Sequence, residues 1–204
     1  MPFRVGLIQH GEKRREPDDP GLTRAGRAQA AAVAELLQHA RIAAIYASPL
    51  RRAHETAQVI ATSCGLPVVT ESALSERMNW TAASGLTRDE FLSEWGKATA
   101  NRSYEPSLGE SSHAAAARML RWLSALPNQD NQFVIAVTHG GVTVDLLRTL
   151  LGDAELDTRA PGLAEHGVPC GAITEVVIGD DGMVAVERIA STDHLETLSD
   201  DRLG

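Results

Sequence analysis

Short apolar runs alternate with segments of helical period along most of this chain, and two of the runs end directly in a His-Gly pair. Val5 to Ile8 is continued by Gln9-His10-Gly11-Glu12, and Phe133 to Val137 by Thr138-His139-Gly140-Gly141. Short apolar runs bounded by polar residues predict buried strands. After the first of them, Ala25, Ala28, Ala32 and Leu36 recur at helical spacing within a helix expected over Leu22 to Gln38, with Thr23 as its cap. Ile42 to Ala47 reads as a second strand. It leads into Ser48-Pro49, a capping residue and a proline at the first helical position, and the helix there reaches about Ser63 before Gly65 stops it. Pro67 to Thr70 is a further strand, and His113 to Leu126 and Val142 to Leu151 are further helices. Ala172 to Ile178 and Met183 to Ile189 read as two strands around an Asp180-Asp181-Gly182 turn. Strands alternating with helices call for an α/β fold, a three-layer α/β/α sandwich whose mostly parallel sheet is covered on both faces.

The stretch from Leu74 to about Gly109 differs in character. It holds two of the three tryptophans, many polar residues and a Thr87-x-x-Glu90 capping box. It reads as a small lid (about 74–110) inserted into a single domain spanning residues 1–204. Aromatics make up only 4% of the chain, so Ala, Leu, Val and Ile are left to fill the core. The formal charge of -8 argues against a nucleic-acid or anionic-membrane surface but leaves room for one local basic pocket. No run approaches the roughly 18 apolar residues of a membrane span, and the N-terminus enters a strand with no apolar leader. Cys64 and Cys170 form no CxxC pair, which fits a reducing compartment. A soluble cytoplasmic protein is expected, with its last ten or so residues loosely held.

The chemistry gathers at the strand ends. In open α/β sheets ligands bind beyond the carboxyl ends of strands, so His10 and His139 are expected at one edge, with glycines that let backbone approach a ligand. Ser48-Pro49-Leu50-Arg51-Arg52-Ala53 follows a strand and opens a helix, which puts Arg52 in a first helical turn, a setting suited to an anion. HExxH, CxxC, GxGxxG, GxxxxGK[ST] and GxSxG are all absent from the sequence. Zinc-protease, dinucleotide, P-loop and serine-hydrolase readings therefore lack support. His166-Gly167 is a third His-Gly pair, but no apolar strand precedes it and it reads as loop near the site. His39, His54, His113 and His194 read as surface residues, and Trp80, just beyond Glu76, as a roof over the pocket.

Six segments in order carry a family likeness: His10-Gly11-Glu12, Leu22-Thr23-x-x-Gly26-x-x-Gln29-Ala30, Ser48-Pro49-Leu50-x-Arg52-Ala53-x-x-Thr56-Ala57, Leu74-Ser75-Glu76, Gly109-Glu110-Ser111 and Thr138-His139-Gly140-Gly141. Over roughly residues 4 to 190 their order and spacing resemble the histidine phosphatase (phosphoglycerate mutase-like) superfamily. The resemblance implies that fold and a phosphohistidine mechanism. His10 matches the nucleophile, and Arg52 and His139 match residues that neutralise the transferring phosphoryl group. Glu76 matches the acid that protonates the leaving oxygen and then activates water. Gln9 and Gly140 fall at phosphate-binding positions, and Lys13 and Arg77 are candidate substrate contacts. The arrangement calls for no metal and no other cofactor, and for a small phosphorylated substrate as its ligand.

Two departures matter. The family motif begins Arg-His-Gly, and here Gln9 stands before His10, keeping amide donors but no charge. Lys13 or Arg77 is the candidate replacement. Family mutases also carry a longer segment before the Leu-Thr helix start than the Glu12 to Gly21 loop found here. A short loop favours release of phosphate to water over retention for mutase transfer. Gly140, not Asp, follows His139, so the acid-phosphatase branch does not fit. The residues therefore point to a phosphomonoester hydrolase, with a pseudophosphatase that only binds a phosphorylated ligand as the alternative and a mutase-type phosphotransferase behind both.

Overall fold

The computed structural model describes residues 2–127 and 133–198. Six strands, β1 (Phe3–Gln9), β2 (Ile42–Ala47), β3 (Val68–Thr70), β4 (Phe133–Thr138), β5 (Ile173–Ile178) and β6 (Val184–Ser191), form one sheet in the order β3-β2-β4-β1-β5-β6. The β3, β2, β4 and β1 strands run parallel, β5 pairs antiparallel with β1, and β6 antiparallel with β5. Helices α1 (Arg24–Leu37), α2 (Arg51–Cys64), α3 (Arg88–Ala100), α4 (Ser112–Ala125), α5 (Gly140–Leu151), α6 (Asp153–Arg159) and α7 (Leu163–His166) complete it. Strand alternation sets the layers. Val5 and Leu7 of β1 and Val134 and Ala136 of β4 meet Met119, Leu123, Val142 and Leu146 of α4 and α5. Ile8, Ile135 and Val137 face the other way, onto Val33 of α1 and Ala57 and Ile60 of α2. The result is an α/β/α sandwich.

Several boundaries differ from the sequence reading for physical reasons. Helix α2 starts at Arg51, not at Pro49, and its cap position, Leu50, makes no side-chain bond. The Ser48 hydroxyl accepts from Leu50 N (3.3 Å) but is turned to His139 Nε2 (2.7 Å), so a site contact takes the place of a cap. Helix α5 begins at Gly140, directly after His139, earlier than the apolar spacing indicated. Within the stretch expected as lid, the Thr87/Glu90 capping box opens α3. His166, which read as loop, ends the short helix α7, and α6 precedes it. Of the final residues expected to be loose, Asp193–Leu198 is a 3-10 helix and the rest lies outside the described residues. Among the described residues no helix is long and apolar enough to cross a membrane.

The Leu-Thr-x-x-Gly-x-x-Gln segment locks the loop after β1 onto α1. Thr23 Oγ1 accepts from Gly26 N (2.9 Å) and Gln29 Oε1 from Glu12 N (2.8 Å). Gly11 and Gly26 interlock: a Cβ on Gly26 would fall 2.1 Å from the Glu12 carbonyl oxygen, and one on Gly11 2.3 Å from that of Gly26. Neither obstacle is a movable side-chain tip. Gly26→Ala is therefore expected to destabilise by about 1–3 kcal/mol, the usual overpacking range. The urea midpoint should fall at unchanged m-value; an unaltered midpoint would show that the loop yields freely.

Candidate active site

The β1–β4 register pairs Gln9 with Thr138, which brings the next residues, His10 and His139, to the same edge with ring centroids 5.1 Å apart. His10 Nδ1 lies 2.8 Å from the Gly11 carbonyl. A carbonyl only accepts, so Nδ1 carries the proton and Nε2 presents its lone pair. Arg52 Nε donates to that Nε2 at 3.1 Å, and Gln9 Nε2 lies 3.4 Å from it. Burial, reinforced by the Arg52 charge, pulls the His10 pKa down to about 3 despite the Gly11 bond, so the ring is neutral at physiological pH. His139 is also held well below its ordinary value, first by burial and then by Arg52. Its Nε2 meets Ser48, and its Nδ1 is buried with no partner among the described residues.

Arg52 is positioned by Asn79, in the segment after Glu76. Its Nη1 donates to Asn79 Oδ1 (3.2 Å), and Asn79 Nδ2 donates to the Asp18 carbonyl (2.8 Å). The backbone N–H of Arg51, expected to be open to an anion, is already met by Asp19 Oδ1 (2.7 Å). From this helix start the Arg52 side chain reaches His10.

Glu76 sits on the N-terminus of α5. Its Oε2 accepts from Gly141 N (3.0 Å), and its Oε1 from Val142 N (2.9 Å) and Arg77 N (2.9 Å). These donors favour the carboxylate, yet burial outweighs them and raises its pKa. Gly141 makes room, since a Cβ there would lie 2.6 Å from Glu76 Oε1 and 2.5 Å from Trp95 Cη2. Gly109 does the same from behind: a Cβ there would fall 2.1 Å from the Arg77 carbonyl oxygen. Arg118 bonds Glu110 and the carbonyls of Ala73 and Ser75, fixing the strip that carries Glu76.

Other candidates are placed differently from the sequence reading. Arg77 is not a free charge: its Nη1 pairs with buried Asp145 (2.7 Å), its Nη2 donates to Thr99 (2.6 Å), and it stacks on Trp95 at 4.1 Å. Lys13 borders the cavities on both sides of His10 and has no ion pair among the described residues. Burial and then Arg52 lower its pKa. Gly140 lines the main cavity with Gln9, whose Oε1 is buried and has no partner among the described residues. Trp95 lines both cavities, whereas Trp80 borders the smaller one and donates to the Leu86 carbonyl. His166 ends α7 on the cavity wall, and half-buried His194 bonds the Gly171 carbonyl. Sequence reasoning missed Ser48 as a His139 partner, and Asn79 and Asp145 altogether; no local pattern marks these partners. Among the described residues no group of three or more His, Cys, Asp or Glu could hold a metal ion.

Residues 5–189 match the sequence profile of the histidine phosphatase superfamily (branch 1). A probable phosphoglycerate mutase of Erwinia tasmaniensis is 31% identical over 163 residues, 74% of this chain and 75% of that protein. Phosphoglycerate mutase-like protein 4 of Arabidopsis thaliana is 34% identical over 154 residues, 68% of this chain and 66% of that one. Among solved structures, a mycobacterial glucosyl-3-phosphoglycerate phosphatase superposes with TM-score 0.74 at 23% identity, covering 94% of this chain and all (100%) of that one. The phosphoserine phosphatase of Entamoeba histolytica gives 0.69 at 24%, over 95% and 99%. At these identities the superpositions show the fold.

The neutral burial of His10 has a thermodynamic consequence. Its folded pKa, about 3, lies below the ordinary 6.5, so between these values the unfolded chain binds more protons than the folded one. Stability from this group is complete above about pH 6.5 and drains away as pH falls toward 3, by at most about 1.4 kcal/mol per pH unit. His10→Asn is expected to flatten this decline in urea titrations from pH 7 to 4.5. Parallel slopes for the two proteins would mean that His10 charges freely in the fold.

Proposed function

This chain belongs to the histidine phosphatase superfamily, branch 1, and on that premise we propose that it hydrolyses phosphomonoesters through a phosphohistidine on His10. One observation carries the reading: a neutral imidazole with its tautomer fixed by Gly11 offers its Nε2 lone pair to a cavity where Arg52 Nε stands 3.1 Å away. In the proposed reaction Nε2 attacks phosphorus in line as the ester P–O bond breaks. The Arg52 guanidinium leaves the lone pair for the phosphoryl oxygens. In this reading the Ser48 hydroxyl donates to His139 Nε2, which leaves His139 Nδ1–H, without a partner among the described residues, to donate to the same oxygens. Glu76, kept protonated more readily by burial, gives its proton to the leaving alkoxide. As carboxylate it then deprotonates the water that breaks the N–P bond.

The charge lost with Gln9 comes from Lys13 in this reading, because Arg77 is neutralised by Asp145. Gln9 contributes its amide N–H instead. Hydrolysis is favoured over mutase transfer, since a mutase must hold its substrate by a second charged group. Of the three arginines lining the main cavity, Arg77 and Arg148 are paired with Asp145 and Asp153, and Arg15 is exposed. The mutase names of the relatives describe those proteins.

His10→Ala is expected to abolish turnover of a simple phosphomonoester, and only the wild type should carry a base-stable, acid-labile phosphoenzyme. Absence of both turnover and phosphohistidine in the wild type, with phosphate still bound through Arg52, would select the pseudophosphatase reading that the uncharged Gln9 keeps open. Removing one transition-state donor costs about a hundredfold or more in rate. Lys13→Met should lower kcat by about that factor, and Gln9→Arg in the same background should recover part of it. An unchanged kcat in Lys13→Met would leave Arg52 as the site's working charge.

A further inference from the structure

The cavity extends well beyond the atoms that would hold phosphate. Its volume is about 820 Å³, in the upper part of the roughly 300–1,000 Å³ range of small-molecule sites. A phosphoryl group on a three-carbon chain would leave most of it unfilled. Away from His10 the lining includes Trp95, Gly96 and Thr99 of α3, Val144 of α5, Ala164, Glu165 and His166 of α7, and Val168 just beyond it.

Two arginines on this wall, Arg77 and Arg148, are already committed. Arg77 is bound to Asp145, which is 0% exposed, and to Thr99. Arg148 donates Nε and Nη2 to the two carboxylate oxygens of Asp153 (2.7 and 3.0 Å) and Nη1 to the Thr99 carbonyl (2.8 Å). Drawing Arg77 onto a ligand carboxylate would strand a buried Asp145. Lys13 lies on the phosphate side, bordering both cavities beside His10. Arg15 stands exposed at the rim, where water and salt screen it. At Gly96 the wall is bare, since a Cβ there would touch nothing within 4 Å. Between these groups the wall is an indole and small aliphatics, with Glu165 and His166 of α7 exposed beside them.

We infer that the group esterified to phosphate is a bulky, uncharged, ring-bearing alcohol seated against Trp95 between α3 and α7, and not a small carboxylate-bearing one. This rests on the phosphatase reading and specifies its substrate class. The side chain of Trp95 is held for the purpose, stacked on Arg77 and in contact with the bare Gly141 backbone, so the ring loses little freedom when a second flat group meets it.

Three esters that all release a primary alcohol separate recognition from leaving-group chemistry: 2-(1-naphthyl)ethyl phosphate, glycerol 3-phosphate and 3-phosphoglycerate. Their kcat/KM values should favour the naphthylethyl ester by about a hundredfold. Gly96→Phe, which adds a ring on a face with open space, should cut that preference about tenfold through the KM of the naphthylethyl ester. Ala164→Phe on the opposite wall should do the same, which guards against a misfolded first variant. Equal values for the three esters, a preference for 3-phosphoglycerate, or a preference unmoved by both variants would overturn the inference while leaving the phosphatase intact. No turnover of any ester and no phosphohistidine would instead bring down the phosphatase reading, and this inference with it.

Discussion

In the parallel ladder between β1 and β4, Gln9 pairs with Thr138, so the two strands end level and His10 and His139 turn out over one edge. The crossing backbone finishes the job: His10 N donates to the Thr138 carbonyl (3.2 Å), and Ser48 N, leaving the neighbouring β2, donates to that of Val137 (3.0 Å). Three strand ends are thus stitched together before any side chain acts. A slip of one residue would reverse the faces of β1 and part the two imidazoles, and the opposed apolar faces forbid it. Val5 and Leu7 would trade places with Ile8 across the sheet. The hydrophobic pattern that builds the core therefore also fixes the spacing of the two histidines.

Charge in the interior is handled by pairing. The Arg77–Asp145 pair joins the strip after Glu76 to α5, while Ser112 of α4 donates to the same Asp145 oxygen (2.6 Å) and Thr99 ties in α3. Such a buried pair adds little net stability, because desolvation offsets most of the attraction. Its effect is geometric. With its partners fixed, Arg77 presents a flat face to Trp95 and a backbone N–H to Glu76. The same pairing that orients the acid also takes one cation out of reach of a substrate.

Local signals carried far in this chain and stopped where long-range partners took over. The strand-His-Gly runs, the Thr23 cap and the Thr87/Glu90 capping box lie within a few residues of sequence and were readable, and their order along the chain carried the family likeness. Ser48-Pro49 had the composition of a helix start, but the Ser48 hydroxyl is bound to a histidine 91 positions away, and the helix opens later. Arg77 read as a free charge because its neutralising carboxylate is 68 positions on. Trp80 looked closer to Glu76 than Trp95 by sequence, yet the turn of α3 brings Trp95 back over Gly141. The burial that raises the Glu76 pKa comes from packing between distant segments, which no local pattern marks.

The neutral Gln9 fits the electrostatic needs of the proposed chemistry better than a simple loss would. Two unit charges about 4 Å apart at an effective dielectric near 20 interact by roughly 4 kcal/mol, so each cation added to this edge acts on every titratable group there. Arg52 already depresses both His10 and His139. That suits a nucleophile that must be neutral, but the same positive charge works against a Glu76 that must hold a proton. The acid is raised by burial while three backbone N–H groups pull it toward the carboxylate. A second fixed guanidinium in the floor, at position 9, would push further in that direction. An amide there keeps a donor and leaves the balance alone. In the proposed reaction the remaining charge comes from Lys13 at the cavity border, half-buried on a loop and in no ion pair among the described residues. It can close on the phosphoryl group as negative charge arrives, and leave Glu76 its proton beforehand.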